Sequence, residues 1–207
     1  MWGGTAEYLP GGAEIDLRSR CPANAPNTDV LLPGLVLGKV SATKRYATAI
    51  LGRTSTAVTA LSTSLTVPVA TAVELARRIG ASGTFTITGP PAAAGTVARA
   101  VVTYSAVNVT TGVITHTATG VAYIAGSFAQ PVDGSDDPVT FIDDGYGELM
   151  ANIDGVAEDQ ILSRFLIGGK VYTAKIVDYP TDPSLQAWLK AKLSKAGRSY
   201  FTFDDEF

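Results

Sequence analysis

The sequence predicts a mainly β protein: a small barrel- or sandwich-like core, an inserted β module, one short helix and one C-terminal amphipathic helix. Three observations carry this. Charged residues make up only 17% of the 207-residue chain, against 21 glycines and 11 prolines, a weakly charged and turn-rich composition. Short runs alternate apolar and polar residues, the period-two pattern of half-buried strands. Only the stretch 182–197 keeps a 3.6-residue apolar period over several turns. The length allows one large domain or two small ones, and the composition excludes wholesale disorder.

Three sections follow in order. Residues 1–34 are broken at Gly3-Gly4, Pro10-Gly11-Gly12, Pro22, Pro26 and Pro33-Gly34, too often for a long regular element. Yet they carry Trp2, Tyr8, Leu9, Ile15, Leu17, Leu31 and Leu32. A purely solvated tail has no use for these side chains. They fit an extended arm that buries them on another chain, with short stretches adding to a neighbour's sheet edge. The competing reading is a leader packed along its own domain.

Leu35–Val40 reads as a short apolar strand, Ser41–Lys44 as a polar turn, and Arg45–Leu51 as the return. Residues 35–52 and 126–207 are assigned to the core, and 53–125, rich in Thr, Ala, Val and Gly, to the inserted module. Inside the module, Thr71-Ala72-Val73-Glu74 has the capping-box spacing for a short helix ending at Gly80. Thr84–Thr88 alternates, with Phe85 and Ile87 on one face, and Gly89-Pro90-Pro91 ends it. In the longer strand 97–107, Ala98, Ala100, Val102, Tyr104 and Ala106 share a face. A turn at Asn108–Gly112 returns the chain through Val113–Ala118.

In the third section, Ser163–Ile167 and Lys170–Ile176 flank Gly168-Gly169, which predicts a hairpin with a tight glycine turn. Asp182 is the expected cap of the last helix, Pro183 its first residue and Gly197 its stop. Leu185, Trp188, Leu189, Leu193 and Ala196 form its apolar stripe. That stripe packs on the sheet or, through Leu185, Trp188 and Leu189, on a second copy. Tyr200–Phe203 alternates aromatic and polar residues and reads as a last strand or an interaction tail.

Function is first narrowed by what is scarce. Sixteen basic residues against nineteen acidic ones give a net charge of −3, which does not suit a nucleic-acid binder. The single cysteine, Cys21, forms no internal disulfide. Met1–Gly4 shows no signal-peptide n-region, and no apolar run is long enough to span a membrane. The lone histidine, His116, lies in an alternating run and reads as a sheet residue, with no Gly-x-Ser-x-Gly elbow to serve. Asp133-Gly134-Ser135-Asp136-Asp137 and Asp143-Asp144-Gly145 lack calcium-loop spacing and read as turns. No phosphate-binding glycine loop occurs. The reading is non-enzymatic, with no cofactor and no metal.

Against that background, Leu31–Tyr46, containing Leu35-Val36-Leu37-Gly38-Lys39-Val40, resembles the opening strand of lambda-type bacteriophage head decoration proteins. Gly147-Glu148-Leu149-Met150-Ala151-Asn152-Ile153-Asp154 is similar to a later segment of that family, and Phe165–Val171 to its apolar strand with a glycine turn. Parts of 53–125 also look like segments of phage structural proteins. The resemblance implies a capsid decoration (cementing) protein, made in the bacterial cytoplasm and carried on the outside of the virion. Its partners would be the major capsid protein and itself, as a homotrimer, with no nucleic acid and no membrane. The alternative is a head-fibre or adhesin-like module that binds carbohydrate or a host surface through a Thr/Ser face, with Tyr104 and Tyr123 stacking.

Overall fold

A computed structural model describes residues 7–8, 13–16, 19–92, 95–142, 149–150, 160–162, 166–195 and 200–205. The chain is mainly β, as its alternating patterns predict, and forms two compact units. The first comprises Met1–Ala49, Asp133–Tyr179 and Leu189–Phe207; the second comprises Ile50–Val132 with Pro180–Trp188. The second unit is thus wider than the 53–125 module read from composition. Its sheet takes strands from both flanks of that range.

The first unit holds a five-stranded sheet built from β2 (Ala13–Ile15), β4 (Val36–Lys39), β5 (Tyr46–Thr48), β12 (Pro138–Phe141) and β14 (Gln160–Leu162), in the order β12-β4-β5-β2-β14. Ser41–Lys44 makes the polar turn between β4 and β5: Lys44 N donates to Val40 O at 2.9 Å and Val40 N to Arg45 O at 2.8 Å. Lys44 itself takes a positive φ of 62° to close it. Two smaller sheets join this unit. One pairs β3 (Val30–Leu31) with β13 (Leu149–Met150). The other has β15 (Leu166–Tyr172) between β1 (Glu7–Tyr8) and β16 (Tyr200–Asp204).

β15 corrects the expected glycine hairpin. It runs straight through Gly168-Gly169, pairing antiparallel with β1 at Gly168 and parallel with β16 from Gly168 to Tyr172. The glycines serve a strand with a neighbour on each side, not a turn; glycine inside a strand commonly marks close backbone approach. The parallel pairing of β15 with β16 needs a long crossover, which contains the final helix. Tyr200–Asp204 is therefore a last strand.

The second unit is a six-stranded antiparallel sheet in the order β6-β11-β8-β9-β10-β7. It uses β6 (Gly52–Arg53), β7 (Ser64–Thr66), β8 (Gly83–Gly89), β9 (Ala98–Val107), β10 (Val113–His116) and β11 (Phe128–Gln130). The sheet curls: Ser55 N, just past β6, donates to Thr66 O in β7 at 2.7 Å, so the two edge strands nearly meet. Covering edges in this way removes templates for unwanted strand pairing. Phe85, Ile87, Val102, Tyr104 and Ile114 point inward and are buried with Leu75 and Ala72 of α1 (Val69–Arg78). Phe85 and Tyr104 meet edge to face at 5.8 Å.

α1 starts two residues before the expected capping box. Pro68 precedes it, Thr71 is buried, and Glu74 pairs with Arg77 one turn on rather than reaching back to cap. At the turn after β9, Asn108 Oδ1 accepts from the N–H groups of Thr110 and Thr111, both at 3.0 Å, and Gly112 supplies a φ of +74°. α2 (Pro183–Lys195) begins as its sequence dictates: Asp182 Oδ1 accepts from Ser184 N at 2.9 Å and Leu185 N at 3.0 Å. Replacing Asp182 by alanine orphans both donors and is expected to cost about 1 kcal/mol, readable as a lower urea midpoint at unchanged slope.

Candidate interaction surfaces

The leader residues assigned to a shell-binding arm divide as follows. Trp2, Leu9 and Leu17 lie outside the described residues, and Tyr8 is described only as backbone paired in β1. Ile15 and Leu31 are 3% and 1% exposed, packed with Cys21, Leu35, Leu37 and Ile142, and Leu32 is half-buried against the same cluster. This corrects the expectation for the described part of the leader: its apolar side chains are covered by their own unit. The backbone follows suit, with Ile15 opposite Tyr46 in β5 and Leu31 opposite Leu149 in β13. A proline-punctuated segment buries apolar surface as well on its own sheet as on a foreign one, without losing the entropy of association.

The helix residues considered for self-association are also largely committed. Leu185 and Leu189 are buried. Trp188 is half-buried, its ring 6.0 Å from that of Phe128, with the Arg99 guanidinium 6.0 Å above it. The stripe thus serves as a packing face within this chain.

Among the described residues, His116 is hydrogen-bonded through its ring to a backbone carbonyl alone. It ends β10 and is buried; its Nδ1 lies 2.6 Å from Thr117 O, which can only accept, so Nδ1 carries the proton. Nε2 is buried without a hydrogen-bond partner. Cys21 is fully enclosed in the first unit, and burial pushes its thiol up, away from the thiolate a nucleophile needs. Among the described residues no group of three or more His, Cys, Asp or Glu side chains is arranged to hold a metal ion. None of the described helices is long and apolar enough to cross a membrane. Asp133–Asp137 is a turn: Asp133 Oδ1 accepts from Ser135 N at 3.1 Å and from its hydroxyl at 2.6 Å. Asp143-Asp144-Gly145 lies outside the described residues.

The rings expected to stack on a sugar are core residues instead. Tyr104 and Tyr123 are buried in the second unit, and burial raises both phenols. Tyr104 donates to Gly80 O at 2.7 Å. Period-two alternation places Tyr104 on the apolar face of its strand, with Ala100 and Val102.

Two surfaces remain that composition did not single out. One is a clasp on the C-terminal strand of the first unit. Lys190 Nζ donates to both Asp205 oxygens at 2.7 and 2.6 Å, and the Thr173 hydroxyl donates to Asp205 Oδ1 at 2.9 Å. The Lys190 and Thr173 hydrogen bonds hold the Asp205 carboxyl below the usual carboxylate range. A lowered carboxyl stabilises the fold above the unfolded value, and that contribution is lost as pH falls through the folded one. β16 amides are therefore expected to lose exchange protection below about pH 4. Asp205→Asn should reduce that protection at neutral pH and flatten its acid dependence.

The other surface is apolar and belongs to the second unit. All eight exposed large apolar side chains among the described residues, including Leu61, Val101 (66% exposed) and Val113 (38%), fall between residues 61 and 132. Arg99, Val101, Thr103 and Ser105 line the exposed side of β9. A shallow trough lined by Val107, Val109, Thr111 and Val113 continues it at the hairpin end. Comparison with protein-family models, curated proteins and solved structures finds no match for this chain.

Proposed function

We propose that the chain is a capsid decoration (cementing) protein that binds the outside of a phage head and braces the shell. In this reading it is made in the bacterial cytoplasm, carried on the virion, partnered by the major capsid protein, and trimeric. The observation that carries the reading is the grouping of the family-like segments. The described parts of Leu31–Tyr46, Gly147–Asp154 and Phe165–Val171 all lie in the first unit and contain its strands β4, β13 and most of β15, while 50–132 belongs to the second unit and interrupts them. That is the layout of a small β core carrying an insertion.

A bracing role asks for surfaces rather than reacting groups. Several copies held together would bind a lattice far more strongly than one, because each later contact forms at high effective concentration. Since Ile15 and Leu31 are consumed by their own core, attachment in this reading uses other surfaces. The carbohydrate-binding alternative is weakened by the burial of Tyr104 and Tyr123.

The test mixes the purified full chain with heads of the phage that encodes it, stripped of their own copies. Expected are added density at discrete lattice positions and heads that retain DNA to a higher temperature. Failure to co-sediment at saturating concentration overturns the reading. Binding on a glycan array, without head binding, would favour the adhesin alternative.

A further inference from the structure

We infer that the Trp188 indole is a lid: it roofs a polar row on the outer side of the second unit's sheet and swings off that row while the sheet stays folded. Register defines the row. Phe128 of β11, Thr88 of β8 and Arg99 of β9 are cross-strand neighbours, on the side of the sheet opposite Phe85, Ile87 and Val102. Adjacent strands lie about 4.8 Å apart, so Thr88 stands between two residues about 10 Å from each other. The Trp188 ring is 6.0 Å from the ring of Phe128 and 6.0 Å from the Arg99 guanidinium. A ring within reach of both ends lies over the middle. Thr88 is accordingly 0% exposed, whereas Thr103, two rows along on the same side, is open to solvent.

Closure of this lid has a cost. Thr88 Oγ1 is buried with no hydrogen-bond partner. A hydroxyl that leaves water without gaining a partner is destabilising, and it is rehydrated when the indole moves away. The forces holding the lid are modest. Trp188 is only half-buried, and a guanidinium over a ring at an exposed position such as Arg99 adds little. The helix beneath it is firm by contrast: Leu185, one turn earlier, is buried, and Asp182 caps the start. A side-chain rotation at Trp188 therefore opens the row without moving α2, and such flips are fast on the scale of unfolding. Lid position decides whether a hydroxyl set between an aromatic ring and a guanidinium meets solvent. The device lies wholly in the second unit and does not depend on the chain bracing a shell.

The test uses the full chain carrying Thr88→Cys, with Cys21, fully buried in the first unit, as the internal control. A small neutral alkylating reagent is added, and labelling at each thiol is followed by peptide mass. Position 88 is expected to label at a rate insensitive to low urea, because swinging one side chain exposes little surface. Cys21 should label only as urea approaches the unfolding midpoint. Adding Trp188→Ala should speed labelling at position 88 about tenfold or more, with Trp188→Phe acting in the same direction if the alanine variant does not fold. Thr88→Val removes the unpaired hydroxyl and should hold the lid shut: in a Trp2→Phe background, acrylamide then quenches Trp188 fluorescence less than in the parent. Labelling at position 88 that rises with urea in step with Cys21 overturns the lid, as does a rate unchanged by the Trp188 variants. Unchanged or stronger quenching in Thr88→Val would mean that the hydroxyl is satisfied under the closed lid, overturning the cost that drives it open.

Discussion

Gly38→Ala is expected to cost about 3 kcal/mol or more and to disrupt the five-stranded sheet of the first unit. Gly38 sits in the middle of β4, opposite Pro138 of β12 and Ala47 of β5. A Cβ added there would stand 1.9 Å from Ser135 O, 2.5 Å from Ser135 C and 2.7 Å from Asp137 O. All three are backbone atoms, so no rotamer change relieves the clash. Nor can the opposing turn simply retreat. Asp133 Oδ1 holds Ser135 from one side, and Ser41 N donates to Asp133 O at 2.8 Å. The 133–137 turn and the β4–β5 hairpin are thus locked against each other with room for a hydrogen atom only. Gly120→Ala is the comparison: nothing lies within 4 Å of its added Cβ, and only its φ of +70° is disfavoured. That change should cost about 1 kcal/mol. Urea midpoints for the two variants check the difference. Equal midpoints would mean that the close approach at Gly38 has no energetic consequence.

What the sequence made legible, and what it did not, separates along contact range. β8, β9 and β10 were readable because period two sorts their side chains onto two faces, with Phe85 and Ile87 on the core side, and because Asn108–Gly112 has local turn chemistry. The Asp182-Pro183 start of α2 was readable for the same reason, its cap being satisfied within three residues. Gly168-Gly169 misled because two adjacent glycines are locally the signal for a turn. The strands that hold them in line, β1 and β16, are contributed from opposite ends of the chain. The widened second unit has a similar cause: Gly52–Arg53 and Phe128–Gln130 pair with each other across the whole insertion, leaving little local pattern in either. At the surfaces, local polarity was a poor guide. Tyr104 and Tyr123 are enclosed, whereas Val101, which reads as a core residue by hydropathy, is open. Alternation along β9 sets it with Arg99, Thr103 and Ser105, opposite Val102 and Tyr104.

Leu31→Ala is expected to destabilise the isolated protein by about 2–5 kcal/mol, the range for deleting a buried leucine side chain. The value decides what the leader is for. An anchor reserved for a foreign surface would be exposed in the free protein, and its truncation would leave the urea midpoint unchanged while weakening attachment. Leu31 is instead 1% exposed, shares a core with Ile15, Cys21, Leu35, Leu37 and Ile142, and pairs through β3 with Leu149. Truncating it leaves a cavity in that core. The same logic predicts that removing residues 1–30 will not yield a folded remainder lacking only its attachment. It would strip β2 from between β5 and β14 and leave Ile142 without two of its neighbours. Loss of head binding by such a truncation would therefore report unfolding, so attachment is properly tested at exposed positions such as Val101. An unchanged midpoint for Leu31→Ala, with head binding lost, would restore the leader as a docking arm.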